Sequence, residues 1–171
     1  MIETIRLASG HCIEIAPDLD PESPRSRDNL GTFQIYHRRY VSPDPIERDP
    51  PHIRADEIGL KVWAYDHSGI VYRAAETNPF HCPWDSGLAG IIYCSRAKAR
   101  DWLGVARLTC GDVGRVRSIL ADEVALYSEW VNGEVCGYRV LDPAGEEIDA
   151  CWGFFASDRD HMSASALEAA A

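Results

Sequence analysis

The sequence contains no Cys-x-x-Cys or Cys-x-x-His pair. Its six cysteines (12, 82, 94, 110, 136 and 151) are scattered along the chain. Structural zinc sites draw on closely spaced ligands, so that class is set aside and no metal is expected. A disulfide framework is not expected either. The N-terminal Met1-Ile2-Glu3-Thr4-Ile5-Arg6 has no basic region followed by an apolar stretch, so a signal peptide is not expected. Most of the thiols then read as small buried fillers, with Cys94 and Cys136 in apolar strand patterns the best fits. No apolar run approaches the ~20 residues that span a bilayer. The expectation is a cytoplasmic protein without a membrane partner.

Nucleotide and metal signatures are missing too. There is no Walker loop, Gly-x-Gly-x-x-Gly, His-Glu-x-x-His or calcium loop. This disfavours the usual nucleotide hydrolysis and zinc proteolysis, and no cofactor is expected. Ser86 lacks the Gly-x-Ser-x-Gly context of a nucleophile elbow. Basic charge is scarce in the last third: residues 121–171 hold 11 acidic and 2 basic residues, against 16 and 15 in the first 120, for a net charge of -10. Such a field repels a polyanion, so sequence-specific nucleic-acid binding is not expected, whereas a protein with a basic surface is a reasonable partner. A local exception, Arg96, Lys98, Arg100, Arg107, Arg115 and Arg117, offers a grip for a phosphate or forms a solvated helix face.

Across 171 residues, 46% are apolar, with five Trp and seven Tyr, enough for one self-sufficient core. Strand-like segments at 2–7 and 12–16 flank Ser9-Gly10 as an opening hairpin, and 31–37 alternates like a half-buried strand. Residues 42–51 are Pro-rich and read as a long irregular excursion, a type of segment that often serves binding. Segments 60–65 and 70–73 make a second hairpin, and 90–94 reads as a buried strand. A short helix over 96–103 should stop at Gly104. Asp112 reads as the N-cap of a long helix to Val131, because Val113, Val116, Leu120, Val124, Tyr127 and Val131 step by three or four. Asn132-Gly133 supplies its stop. Segments 135–141 and 147–155 close the fold as a hairpin across Asp142-Pro143-Ala144-Gly145. The expected class is α+β: an antiparallel sheet packed against one long helix plus a short helix, in a single domain over 1–155. Residues 156–171 show little pattern and are expected to fray as a flexible tail.

Two polar tracts between strands mark the candidate site: Tyr65-Asp66-His67-Ser68-Gly69 and His81-Cys82-Pro83-Trp84-Asp85-Ser86-Gly87. Binding and catalytic groups concentrate in loops on a rigid scaffold. The same residues also build ordinary turns, since Asp-x-x-Gly at 28–31, 66–69 and 142–145 suits a type I turn. His67, at a hairpin tip beside Ser68, has the chemistry of a general base near neutral pH. Trp84 either stacks on a planar ligand or caps the core, the commoner use. Asp85 and Ser86 can accept or donate hydrogen bonds. His37, ahead of Arg38-Arg39-Tyr40, is a second histidine of interest, and Arg39 adds a cation. Cys151 with His67, Asp66 and Asp85 is the set a thiol-dependent hydrolase or transferase would use, although a buried structural Cys is commoner.

Taken in order, Asp28-Asn29-Leu30-Gly31-Thr32, His37-Arg38-Arg39-Tyr40, Tyr65–Gly69, Pro83-Trp84-Asp85-Ser86-Gly87, Gly90-Ile91-Ile92-Tyr93 and Asp149-Ala150-Cys151-Trp152-Gly153-Phe154 resemble the ordered blocks of a family of small phage- and prophage-encoded proteins. The resemblance spans most of residues 28–155 and departs at the Pro-rich 42–51. It implies a genomic setting, in a bacterial host cell, and no particular mechanism. The favoured expectation is an accessory protein that counteracts host defence by binding. It would inhibit a protein component or sequester a nucleotide-like signal, using His37, Arg39, His67, Ser68, Trp84, Asp85 and Ser86. The alternative is a small cytoplasmic hydrolase or transferase.

Overall fold

The computed structural model describes residues 2–47 and 51–170. These residues form two antiparallel four-stranded sheets and three α-helices, rather than the one sheet and two helices expected from sequence. The chain divides into two compact units: residues 23–128 make one, and residues 1–22 with 129–171 make the other.

In the inserted unit, β3 (Thr32–Ile35), β4 (Glu57–Asp66), β5 (Ile70–Ala75) and β6 (Ser86–Ser95) pair in the order β3-β6-β4-β5. Central β6 buries six consecutive residues, Ala89 to Cys94, as a strand covered on both faces does. Burial raises the Cys94 thiol to about 11, keeping it the inert filler its context suggested. Helix α1 (Arg96–Leu103) is capped by the Ser95 hydroxyl, which accepts from Lys98 N, and ends at Gly104 with φ 66°. Helix α2 (Cys110–Val131) buries Val116, Leu120, Val124 and Tyr127, the stripe read from their spacing. Its cap is Thr109, not Asp112. Thr109 Oγ1 accepts from Asp112 N at 3.2 Å, and Asp112 Oδ2 accepts from Thr109 N at 2.9 Å, a reciprocal box over Thr-x-x-Asp. The helix meets the sheet through Tyr127, whose ring stands edge-to-face with Phe33 of β3 and lies tilted against Tyr72 of β5. Gly31 is required at that contact, because a Cβ there would lie 2.6 Å from Leu120 Cδ2.

The Pro-rich excursion is tied down where it can be followed; its residues 48–50 lie outside the described residues. Ser42 Oγ accepts from Ile35 N, Asp44 N donates to Phe33 O, and Gln34 Nε2 donates to Pro45 O. Residues 42–45 thereby satisfy the outer edge of β3, the usual protection of an edge strand.

The other unit carries β1 (Glu3–Arg6), β2 (Cys12–Pro17), β7 (Val135–Leu141) and β8 (Glu147–Phe155), paired in that order. Residues 156–170, expected to fray, instead form a 3-10 turn and helix α3 (Arg159–Ala169). Met162, Ala166 and Ala170 of that segment are buried with Ile13, Ile15, Tyr138 and Val140 in one core. Spacing of four residues puts the three small or flexible side chains on one helix face, a stripe too weakly apolar to announce itself. Cys136, also read as a filler, is half-buried with its Sγ 3.6 Å from Met162 Sδ.

Candidate functional site

The two polar tracts meet in the inserted unit. The β4–β5 hairpin pairs Asp66 with Ile70 and turns through His67, Ser68 and Gly69. Ser68, and not Gly69, takes the left-handed conformation, φ 65°, and no other non-glycine among the described residues does so. Across from the tip, Asp66 N donates to Asp85 O at 2.8 Å, which joins the hairpin to the turn ahead of β6. That turn is held from inside. Ser86 Oγ donates to Cys82 O at 2.5 Å and accepts from Asn78 Nδ2 at 2.9 Å. Tyr65 stacks between Phe80 and His67, with centroids 5.5 and 6.0 Å away.

Between these elements and the segment after β3 lies a cleft of about 260 Å³, lined by His37, Arg39, Ala64, Asp66 and the run Trp84–Ala89. Its floor is made of Ala64 and Ala89, buried residues whose small side chains leave the volume open. A register shift in the β4–β6 ladder after Val62 leaves Ala89 out of the pairing there, and Ala89 O accepts from Tyr36 N instead. Arg39 makes an ion pair with Asp66, with the guanidinium side chain 70% exposed. Tyr40 bonds Asp66 as well. Its phenol is raised by desolvation and then by that hydrogen bond and the carboxylate charge, so it stays protonated and donates. Asp85 Oδ2 lies 3.2 Å from His67 Nδ1 and 3.4 Å from Cys82 Sγ. A proton on Nδ1 therefore points at the carboxylate and leaves Nε2 as the outward acceptor.

His37, Arg39, Trp84, Asp85 and Ser86, all read from the sequence, line one cleft, together with Asp66. His67 and Ser68 stand at the exposed tip and do not line it. Trp84 does not cap the core: it is 92% exposed. Cys151 is an exposed residue of β8 in the other unit, and Ser86 Oγ is engaged at both ends. The basic cluster of α1 and α2 contributes nothing to the lining; Arg117 pairs with Glu76 and Arg115 with Asp112. Ala64 and Ala89 escaped sequence reading because small residues in strands look like any core, and Tyr40 because it lies in the irregular turn after β3, where nothing in the sequence pairs it with Asp66. Among the described residues, no group of three or more His, Cys, Asp or Glu side chains could hold a metal ion, and no helix is long and apolar enough to cross a membrane.

Compared with known protein families, curated proteins and solved structures, the chain matches none.

Proposed function

We propose that the cleft binds a small planar ligand bearing an anionic group, of nucleotide-like chemistry, and that the protein acts by holding this ligand. One observation carries the reading: an unpacked Trp84 indole, the exposed Arg39 guanidinium and the His37 imidazole share a cleft with the carboxylates of Asp66 and Asp85. An indole in water offers a stacking surface worth ~1–3 kcal/mol per base. Arg39 and His37 suit an anionic group, and the carboxylates suit ring amino or ribose hydroxyl donors. Sequestration is favoured over turnover because the hydroxyl of Ser86 is committed and His67 lies off the lining. In the phage setting that the sequence blocks imply, such a protein would withdraw a nucleotide-like defence signal from its receptor.

Calorimetric titration with cyclic, linear and ADP-ribose-type nucleotides tests this. Trp84→Ala should lose about tenfold or more in affinity, the equivalent of about 1.4 kcal/mol, with an almost unchanged melting temperature. Ligand recovered intact after denaturation supports sequestration; a converted product would favour the hydrolase or transferase reading, with His67 Nε2 as base.

A further inference from the structure

The unit formed by residues 1–22 and 129–171 holds 14 acidic and 3 basic residues, a net of -11, while residues 23–128 hold 13 and 14, a net of +1. All of the protein's excess negative charge therefore belongs to one of its two units. In the sheet of that unit, α3 covers the face carrying Ile13, Ile15, Tyr138 and Val140. The alternate residues point the other way. That opposite face holds a groove of about 610 Å³ floored by Ala16, Pro17 and Trp152, with Ile2 and Leu19 at its margin.

This groove is apolar where a solvent-facing sheet surface is ordinarily polar. Trp152 lies flat over Gly137, so closely that a Cβ there would strike the indole. The ring is nonetheless 48% exposed, Ile2 is 58% exposed, and Leu19 projects into solvent at 95%. The rim is acidic. Glu14 is matched by Arg139 at 2.6 Å, but among the described residues no cation pairs with Asp18 or Asp20. An apolar floor under unneutralised carboxylates is complementary to one kind of surface.

The geometry points to this face as a docking site for a protein segment that presents a bulky apolar side chain flanked by lysine or arginine. The apolar side chain would fill the groove against Trp152 and Leu19, and its basic neighbours would meet Asp18 and Asp20. The groove shares no residue with the ligand cleft, and the proposal stands whether or not the cleft binds nucleotides.

Fluorescence polarisation with the full chain tests this, using a labelled synthetic peptide of alternating Leu and Lys and its Leu/Glu counterpart as probes. The Leu/Lys peptide should bind about tenfold or more tighter. Raising NaCl from about 0.05 M to about 0.5 M should weaken it, as screening demands. Leu19→Ser and the pair Asp18→Asn with Asp20→Asn should each weaken it about tenfold, and Trp84→Ala should not. Leu19 is solvent-exposed, so its loss leaves the fold intact, which a matching melting curve would verify. Equal binding of both peptides, or binding insensitive to Leu19→Ser, overturns the proposal. So does a concentration-dependent dimer that Leu19→Ser abolishes, since the face would then be a contact between copies of this chain.

Discussion

Arg25 has five N–H donors, and each meets an acceptor. Nε and one terminal nitrogen bond Asp44, while the other contacts are Asn29 Oδ1, Glu123 Oε2 and Gly31 O. Burial pulls its basicity down, but the hydrogen bonds and charges of Asp44 and Glu123 more than offset this, so the guanidinium is held charged. Glu123 also accepts from Leu30 N at 2.6 Å and from Gly31 N. A buried ionic cluster is weak evidence of net stability, yet removing one member strands the rest. Glu123→Ala should cost about 3–5 kcal/mol in urea unfolding. Ser68 presents the opposite case. Its left-handed backbone is unfavourable for a residue with a Cβ, and its side chain is exposed. Ser68→Gly should therefore raise stability by about 1 kcal/mol in the same assay. The Arg25 cluster is not legible in sequence, since Arg25 sits in a Pro-rich polar stretch that reads as loop and its partners lie 19 and 98 positions downstream; Ser68 is legible as a tip residue but not in its backbone conformation. Asp66-His67-Ser68-Gly69 reads as an Asp-x-x-Gly turn, a pattern that does not mark the serine for the left-handed conformation it adopts.

The start of α2 ties an element to solution pH. Asp112 is held below the usual carboxylate range by the Thr109 hydroxyl first, and then by the Thr109 backbone N–H. A carboxyl depressed by folding contributes stability above its unfolded value, about 3.9, and loses it as pH falls through the folded value. Asp112→Asn should therefore lower the urea midpoint at neutral pH, and the gap to wild type should narrow steadily in acid. At this scale the sequence was most informative where periodicity is strong or turn chemistry unambiguous. Helix α2, the Gly104 stop and the β7–β8 hairpin across Asp142–Gly145 stand where the pattern put them. The cap slipped by three residues because in Thr-x-x-Asp both side chains take part and either can be taken as the cap. Helix α3 is not announced by its sequence because its buried face is only Met162 and Ala166 among polar and charged residues, and their burial depends on a sheet whose strands lie far away in sequence. Strand patterns alone do not say which strands share a sheet, so eight of them were assigned to one. At the candidate site, the polar residues were legible by type, whereas the alanine floor that makes room beside them was not.

For the molecule as a whole, charge is the property with the clearest consequence. Of the three basic residues in the acidic unit, Arg139 pairs with Glu14 and Arg159 with Glu3, leaving most of its 14 carboxylates to repel one another. Raising NaCl to about 0.3 M should therefore raise the thermal midpoint, because the screening length falls below ~10 Å. A chain stabilised mainly by exposed ion pairs would respond in the opposite sense. The division into units also has a consequence for synthesis. Residues 23–128 contain every strand of their own sheet, so that unit has all its parts once Ser128 has been added to the growing chain. Strand β2 must wait: Cys12 pairs with Leu141, and its core is complete only with Met162 and Ala166. On the ribosome, then, β1 and β2 are made before residues 23–128 yet belong to the sheet completed after them, and their hairpin waits through the synthesis of that whole unit for the strand that will shelter its edge.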